Sequence, residues 1–212
     1  MKPGAIYNSN RFFLKALLIR LGCDVSDYGI LPDDLTETTK AFSIAAYSHD
    51  LILTSGGVSV GEEDHVKPAV QSLGQLNLWS LAIKPGKPFA YGQIILPTKL
   101  THFIGLPGNP VSSYITFLLL AKPFILKLQG ANGTHLSSFP MRADFAWSKA
   151  DKRREFLRVK RNERGGLDVF ENQSSGVLTS VVWADGVVDN PPGKVINPGD
   201  EVNFIPFTNW MS

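Results

Sequence analysis

The chain has 212 residues, 43% hydrophobic and 19% charged, so it can bury a core and is not disordered by composition. Its 21 basic and 19 acidic side chains give a net charge of +2, which argues against a nucleic-acid partner. The single cysteine, Cys23, excludes an internal disulfide and a cysteine-based metal cluster. The longest apolar run, 115–121, is shorter than the roughly 20 residues of a membrane helix, so we expect a soluble, cytoplasmic protein with no membrane partner.

The first 130 residues alternate helical patterns with apolar runs. This alternation is typical of a three-layer α/β/α domain, in which helices cover both faces of a sheet and ligands bind at the carboxyl ends of the strands. The first predicted helix, 11–21, follows Asn8-Ser9-Asn10, and the second, which reaches about 48, follows Asp33-Asp34. The third ends near 73, and the fourth spans 111–128 with a kink or break at Pro123. The predicted strands are 25–30, 50–54, 78–83, 89–96 and 102–106.

After residue 130, short strands and turn signals dominate, which predicts a small all-β barrel or sandwich. The linker-like stretch 130–134 places a boundary between an α/β domain, 1–133, and a β domain, 134–212. The predicted strands of the second domain are 141–147, 156–160, 167–170, 177–183 and 202–207.

A glycine-rich loop, TSGGVSVG at 54–61, follows the second predicted strand. Adjacent glycines allow backbone N–H groups to face an anion, and Ser55 and Ser59 add hydroxyl donors next to a helix N-terminus. The pattern is neither a P-loop nor a dinucleotide fingerprint. A phosphate cradle and an ordinary strand-to-helix turn therefore both remain open.

Acidic residues stand close to this loop in sequence. Asp64 belongs to EEDH at 62–65, and Asp33 precedes the second predicted helix. Carboxylates beside a phosphate site suggest Mg²⁺ binding. Aspartate is also a favoured helix cap, and acidic residues are expected in a first helical turn, so spacing alone favours the structural role.

Two rigid turns and two polar segments could also carry chemistry. In KPGKP, prolines and a glycine fix Lys84 and Lys87, which suits an anionic substrate as well as a hairpin turn. In LPGNPVS, Asn109 can cap the helix that begins at Pro110. The segments RREFLR (153–158) and NQSSG (172–176) are a basic strand edge and a polar turn, suited to an oxyanion or to plain solvation.

In this order and spacing, SGGVSVGEEDH, KPGKP and GLPGNPVS resemble the MoeA-type molybdopterin molybdenumtransferases and the related domain of gephyrin and plant Cnx proteins. GAIYNSNRFFL, RREFLRV, NQSSG and NPGDEV are similar to the same family, so the resemblance covers essentially the whole chain. It implies a molybdopterin-binding α/β domain followed by a β-barrel domain. It also implies insertion of molybdate into adenylylated molybdopterin with release of AMP and with Mg²⁺ as cofactor.

The resemblance implies a role for each matched residue. The catalytic set is Asp33, Asp64, Lys84 and Lys87, and Asp33 and Asp64 are also the implied metal ligands. The residues implied to bind the molybdopterin substrate or molybdate are Ser55, Gly56, Gly57, Ser59, Gly61, Gly86, Gly108, Asn109, Ser112, Arg153 and Ser175.

Departures from the family pattern leave alternatives open. Family members are usually much longer, with an upstream strand and N-terminal domains, and Ser80 stands where some relatives have a functional lysine. We therefore expect weak or absent turnover by this chain alone. The alternatives are a non-catalytic molybdopterin-binding scaffold and a molybdopterin adenylyltransferase, although the appended β domain argues against the second. The full-length family implies a homodimer and a possible adenylyltransferase partner.

Overall fold

A computed structural model describes residues 8–58, 65–132 and 136–210. The chain divides into two compact units. The first takes in the residues up to 79 together with 88–114, and the second takes in 80–87 and the residues from 115 onward. The domain boundary near 133 stays a prediction of the sequence.

The regular elements of the described residues are numbered here in chain order. The helices are α1 (Ser9–Arg20), α2 (Leu35–Ser48), α3 (Val66–Leu73), α4 (Pro110–Thr116), α5 (Lys122–Leu128) and α6 (Thr179–Trp183). The strands are β1 (Leu51–Ser55), β2 (Gly74–Ser80), β3 (Ile83–Lys84), β4 (Pro88–Ile95), β5 (Leu100–Leu106), β6 (Phe139–Arg142), β7 (Arg154–Arg161), β8 (Leu167–Val169), β9 (Gly186–Asn190) and β10 (Glu201–Pro206).

The first two helices begin where their capping residues predict. The Asn8 side chain accepts a hydrogen bond from the Arg11 N–H, and Asp34 accepts one from the Glu37 N–H at 2.9 Å. These oxygens satisfy N–H groups that have no partner inside the helix. Asp34, and not the neighbouring Asp33, is therefore the N-cap of α2.

The first unit is built on a mixed sheet in the order β1-β5-β4-β2. Strands β1 and β5 are parallel, with Ser55 opposite Leu106, whereas β4 is antiparallel to β5. The parallel register brings the carboxyl ends of β1 and β5 to one edge of the sheet. Side chains of α2, α3 and the sheet form one core, which includes Phe42, Ala46, Ile52, Ala69, Val70, Ile94 and Phe103.

A long helical stretch joins α4 to α5 through a π-helical turn, Phe117–Ala121. Pro123 lies in the first turn of α5, where its missing N–H is tolerated, so the predicted break at Pro123 takes the form of a π turn just before it. Among the described residues, Pro110–Leu128 is the one helical span long and apolar enough to cross a membrane. Because 56% of its apolar window is buried inside the protein, it has the character of a core helix.

The second unit contains the predicted barrel. Its sheet has the order β3-β7-β9-β10-β6, with β8 paired to β7. A parallel bridge between Ala143 and Leu167 joins the end of β6 to β8, and this bridge closes the ring of β6, β8, β7, β9 and β10. The buried side chains inside include Leu157, Val159, Leu167, Val188, Ile196 and Phe204.

The structure corrects three predicted strands. Residues 25–30 form no strand, because Asp27 binds both Arg11 and the N–H of Gly29, which has φ +76°. The stretch 177–183 contains helix α6, and the barrel strand at this point is β9, which the sequence analysis did not predict. The predicted strand 78–83 is two strands in different sheets, β2 and β3.

Candidate functional site

Two of the predicted loops lie side by side at the edge where β1 and β5 end. The Gly56 N–H donates to the Leu106 carbonyl at 2.9 Å. A Cβ atom placed on Gly56 would lie 3.9 Å from the Cα of Gly108, so the two loops are in contact through glycines. Gly56 and Gly57 have φ of +95° and +69°, a region that side chains disfavour. The edge thus offers closely spaced backbone groups with little side-chain cover.

Asn10 ties these two loops together. Its Nδ2 donates to Ser55 Oγ at 2.6 Å and to the Gly108 carbonyl at 2.7 Å. Asn10 is only 5% exposed, so the donor side of both bonds is shielded from water. Because Ser55 Oγ accepts from Asn10, the Ser55 hydroxyl hydrogen is directed elsewhere. The sequence predicts Asn10 only as part of a helix start, and no local pattern indicates this second role.

The LPGNPVS loop continues from this edge into α4. Gly108 and Asn109 are exposed, and the Asn109 carbonyl accepts from the Ser113 N–H at 2.9 Å, which opens the helix. Ser112 is buried, with 4% exposure. The structure therefore places Gly108 and Asn109 at the open edge with Ser55, Gly56 and Gly57, while Ser112 lies on the inner side of the helix.

The predicted metal ligands are described only in part. Asp33 has a side chain that is 74% exposed, and one of its oxygens lies 3.6 Å from His65 Nε2. Asp64, Ser59 and Gly61 lie outside the described residues. Within the ranges that the structure describes, no three His, Cys, Asp or Glu side chains gather as a metal site. Asp33 alone is an exposed carboxylate suited to a hard cation that keeps several waters.

The lysine of the rigid turn belongs to the second unit. Strand β3 pairs in parallel with the start of β7, so Lys84 lies opposite Glu155. The Lys84 Nζ atom is 3.0 Å from Glu155 Oε1 and 3.2 Å from Asp151 Oδ2. Partial burial lowers the pKa of Lys84, but the bonds to Glu155 and Asp151 outweigh it and raise the pKa. Lys84 is therefore a fixed ammonium ion at neutral pH.

Glu155 is a buried support for this lysine. Its side chain is 1% exposed, and its second oxygen, Oε2, accepts from the Trp147 indole N–H at 2.9 Å. A buried carboxylate is stable only when it is paired and hydrogen-bonded, and Lys84 and Trp147 meet this requirement from two sides.

Arg153 shares Asp151 with Lys84. Its Nε and Nη2 atoms donate to the two Asp151 oxygens at 3.0 and 2.9 Å, a bidentate pair. The Arg153 side chain and backbone N–H, and then Lys84, hold the pKa of Asp151 far below its usual value. Asp151 thus fixes two cations close to each other. Both side chains stay more than a third exposed, so their remaining N–H donors can reach an anion from solvent.

The rest of the KPGKP turn is shaped by packing. The Lys84–Pro85 peptide is cis, and Gly86 has φ +117°. A Cβ atom on Gly86 would collide with the Thr116 methyl group and crowd Ile83, so Gly86 is required for space. The Lys87 side chain is exposed, and its carbonyl accepts from the Leu81 N–H. Lys84 and Lys87 therefore have different environments, although the sequence treats them alike.

Ser175 lies in the turn after β8, half-buried between the exposed Ser174 and Gly176. The described residues thus form two groups. In the first unit, Ser55, Gly56, Gly57, Gly108 and Asn109 share one sheet edge with the unpredicted Asn10. In the second unit, Lys84 and Arg153 meet at the unpredicted Asp151, and Lys84 also pairs with the unpredicted Glu155. The available sequence signal was an acidic residue just before the basic motif RREFLR, Asp151, and one within it, Glu155.

Two family models match successive parts of the chain. Residues 1–127 match the family model described as "Probable molybdopterin binding domain", and residues 140–207 match "MoeA C-terminal region (domain IV)". The chain is 43% identical over 220 residues to the molybdopterin molybdenumtransferase of Haemophilus influenzae, covering 100% of this chain and 53% of that protein. It is 31% identical to the Nostoc enzyme of the same name, covering 95% of this chain and 48% of that one.

A solved structure gives the same picture. The crystal structure of a molybdopterin biosynthesis MoeA protein from Pyrococcus horikoshii superposes with a TM-score of 0.79 at 30% identity, covering 98% of this chain and 50% of that chain. The chain thus spans about half the length of these relatives. Because the first of these models covers more than half of its residues, the chain belongs to the family described as "Probable molybdopterin binding domain", and its C-terminal residues match the C-terminal region of MoeA proteins.

Proposed function

We propose that this protein works in molybdenum cofactor biosynthesis, where it takes part in inserting molybdate into adenylylated molybdopterin with release of AMP. The observation that carries the proposal is the pairing of Lys84 and Arg153 on Asp151. Two fixed cations with free faces suit a doubly charged oxyanion. The names of the relatives in Haemophilus influenzae and Nostoc support the same reaction.

The first unit is proposed to hold the phosphate end of the pterin substrate. The glycines after β1 and β5 leave backbone groups uncovered at one edge, and Ser55 contributes a hydroxyl that Asn10 orients. Such glycine-rich strand ends are well suited to phosphate because no Cβ atom blocks the approach of the anion. Gly57, Gly108 and Asn109 are exposed at this edge.

The second unit is proposed to hold molybdate or the pyrophosphate link. Lys84 stays protonated because Glu155 and Asp151 raise its pKa, so it supplies charge rather than exchanging a proton. Arg153 is held in the fork geometry that matches oxyanions. Lys87 and Ser175 are proposed as further contacts on the strength of their motifs.

Mg²⁺ is proposed as the cofactor, with Asp33 and Asp64 as its protein ligands. The exposed Asp33 carboxylate fits, because Mg²⁺ binds through one or two carboxylates together with waters and substrate phosphates. When bound, the ion would neutralise charge on the phosphate groups. We also propose a cytoplasmic location, a homodimer, and a molybdopterin adenylyltransferase as the protein that delivers the substrate.

We propose that the 212 residues, assayed by themselves, bind the substrate but turn it over slowly. The test measures AMP release from adenylylated molybdopterin with molybdate and Mg²⁺, beside the full-length Haemophilus influenzae relative. We expect substrate binding with a rate at least ~10-fold below that relative, or about 1.4 kcal/mol in barrier. Equal turnover would contradict the slow rate, and absent binding would contradict the function.

A non-catalytic molybdopterin-binding scaffold is the second candidate, and Ser80, at a position where some relatives have a functional lysine, favours it. Asp64→Ala separates the two. Under the enzymatic proposal, this variant loses the residual AMP release but still binds adenylylated molybdopterin. Residual AMP release that is unchanged in Asp64→Ala would remove the assigned role of this carboxylate.

A further inference from the structure

Arg158 is a buried cation that the proposed function does not use. It lies on β7 with 1% exposure, and within the described ranges no carboxylate comes within ion-pair distance of it. Its guanidinium donates to three neutral oxygens: Ser180 Oγ at 3.2 Å, the Phe156 carbonyl at 3.2 Å and the Ser174 carbonyl at 3.4 Å. Burial lowers the pKa of Arg158 to about 10, so the side chain is still charged at neutral pH.

This environment differs from that of other arginines in the barrel. Arg142, Arg154 and Arg161 are exposed, and each pairs with an aspartate. Exposed pairs of this kind contribute little, whereas a buried charge without an opposite charge is expensive. Among the described residues, these exposed arginines thus have carboxylate partners, whereas the buried Arg158 has none. An anionic ligand nearby would supply the missing charge.

The turn 172–176 is hydrogen-bonded both to the backbone and to the side chain of Arg158. The Gln173 amide accepts from the Arg158 N–H and donates to the Arg158 carbonyl, both at 3.0 Å, so it pairs with β7 as a neighbouring strand would. The same amide donates to the Phe170 carbonyl at 2.8 Å. The Arg158 guanidinium donates to the Ser174 carbonyl and to Ser180 Oγ, and the Ser180 hydroxyl donates to the carbonyl of Val177, which directly follows the turn. The bonds of Gln173 and Arg158 therefore hold the turn in one conformation.

We propose that Arg158 and Gln173 are positioning residues for the turn 172–176, which carries Ser175, one of the contacts already proposed for molybdate. Gln173 fixes the backbone two residues before Ser175. The Arg158 guanidinium, which no carboxylate of the described residues pairs with, lies 3.4 Å from the Ser174 carbonyl and so brings positive charge to the turn. Ser174 and Gly176 are exposed, so an anion can approach the turn from solvent. This inference rests on the proposed function, because it assigns the oxyanion to molybdate.

The test measures molybdate binding to the 212-residue chain by calorimetry, together with binding of adenylylated molybdopterin. Arg158→Met should weaken molybdate binding at least ~10-fold, or about 1.4 kcal/mol, and leave pterin affinity within about twofold. Arg158→Lys, which keeps the charge, should recover part of the loss. Arg154→Met is the matched control, because Arg154 lies on the same strand in an exposed pair with Asp189. It should bind molybdate as the unaltered chain does.

A folded Arg158→Met variant with unchanged molybdate affinity would overturn the inference. Where that variant does not fold, Gln173→Leu replaces it, since Gln173 is only half-buried and its loss releases the turn without removing the charge. A folded Gln173→Leu variant with unchanged molybdate affinity would also overturn the inference. Failure of the unaltered chain to bind molybdate would instead count against the proposed function.

Discussion

Lys84 Nζ lies 3.0 Å from Oε1 of Glu155, a carboxylate that is almost completely buried. The pair joins β3 to β7 by charge as well as by strand pairing. A lysine in a turn between two strands of an α/β domain would be a mobile surface cation. Here it is fixed to the barrel unit and stays protonated, which is what anion binding requires and what proton transfer does not.

Removing the charge of Glu155 should destabilise the second unit. Glu155→Gln leaves Lys84 without its buried partner and gives the Trp147 site an amide in place of a carboxylate. We expect a loss of about 1–3 kcal/mol, towards the lower end because Lys84 is 39% exposed. Urea unfolding at pH 7 measures it. Asp189→Asn, which breaks an exposed pair with Arg154, serves as control and should cost less than about 1 kcal/mol. Equal losses of unfolding free energy in the two variants would show that the buried Glu155 pair stabilises the fold no more than an exposed pair does.

The contribution of Asp151 should depend on pH. Arg153, and then Lys84, lower its pKa below the ordinary 3.8, so its stabilising effect is complete above that pH and is lost as the pH falls further. The difference in unfolding free energy between the unaltered chain and Asp151→Asn should be largest near pH 7 and shrink below about pH 4. Urea titrations at pH 7 and pH 3 measure the difference. A difference that stays constant would mean that Asp151 acts through packing alone.

Gly86 should tolerate no side chain. Its φ of +117° is strained for alanine, and a Cβ atom would meet the Thr116 methyl group. Gly86→Ala should cost about 1–3 kcal/mol. Adding Thr116→Ser removes the methyl group but leaves the backbone strain, so the double variant should recover part of the loss, as read from the urea midpoint. Full recovery would assign the whole effect to the collision, and no recovery would assign it to the backbone.

Asn10 should affect both stability and substrate affinity. Asn10→Ala removes the two part-buried hydrogen bonds that hold Ser55 and Gly108 together, which costs about 1–3 kcal/mol at roughly 0.5–1.5 kcal/mol for each bond. We expect weaker binding of adenylylated molybdopterin as well. Asn8→Ala is the matched control in the same helix, because it removes the cap at a cost of about 1 kcal/mol without touching the edge. Loss of affinity in Asn8→Ala alone would contradict this assignment.

The sequence predicted the elements that local signals determine. The caps at Asn8 and Asp34 and the glycine turns after β1 and β5 follow from residue type at fixed positions. The same signals misled at 177–183, where an apolar, β-branched run forms α6 because Ser180 bonds back to the Val177 carbonyl and supports Arg158. Local propensity is weak compared with such tertiary contacts.

The candidate site was predicted in its motifs but not in its connections. Lys84 and Arg153 are 69 positions apart in the numbering of the printed sequence, and only folding brings both to Asp151. Asn10 is 98 positions from Gly108, so no pattern within either segment could reveal their bond. Long-range pairing of polar side chains depends on three-dimensional geometry, whereas turn chemistry is readable within a few residues.

The proposed function requires that the turns after β1 and β5 bind the anionic end of the pterin substrate. The direct test is calorimetric titration of adenylylated molybdopterin into the chain and into Gly57→Ala and Gly22→Ala. Both glycines have similar positive φ, +69° and +77°, but only Gly57 lies at the sheet edge, and Gly22 follows α1. We expect one-to-one binding, at least ~10-fold weaker in Gly57→Ala and unchanged in Gly22→Ala. Absent binding by the unaltered chain, or equal affinity in all three proteins, would contradict it.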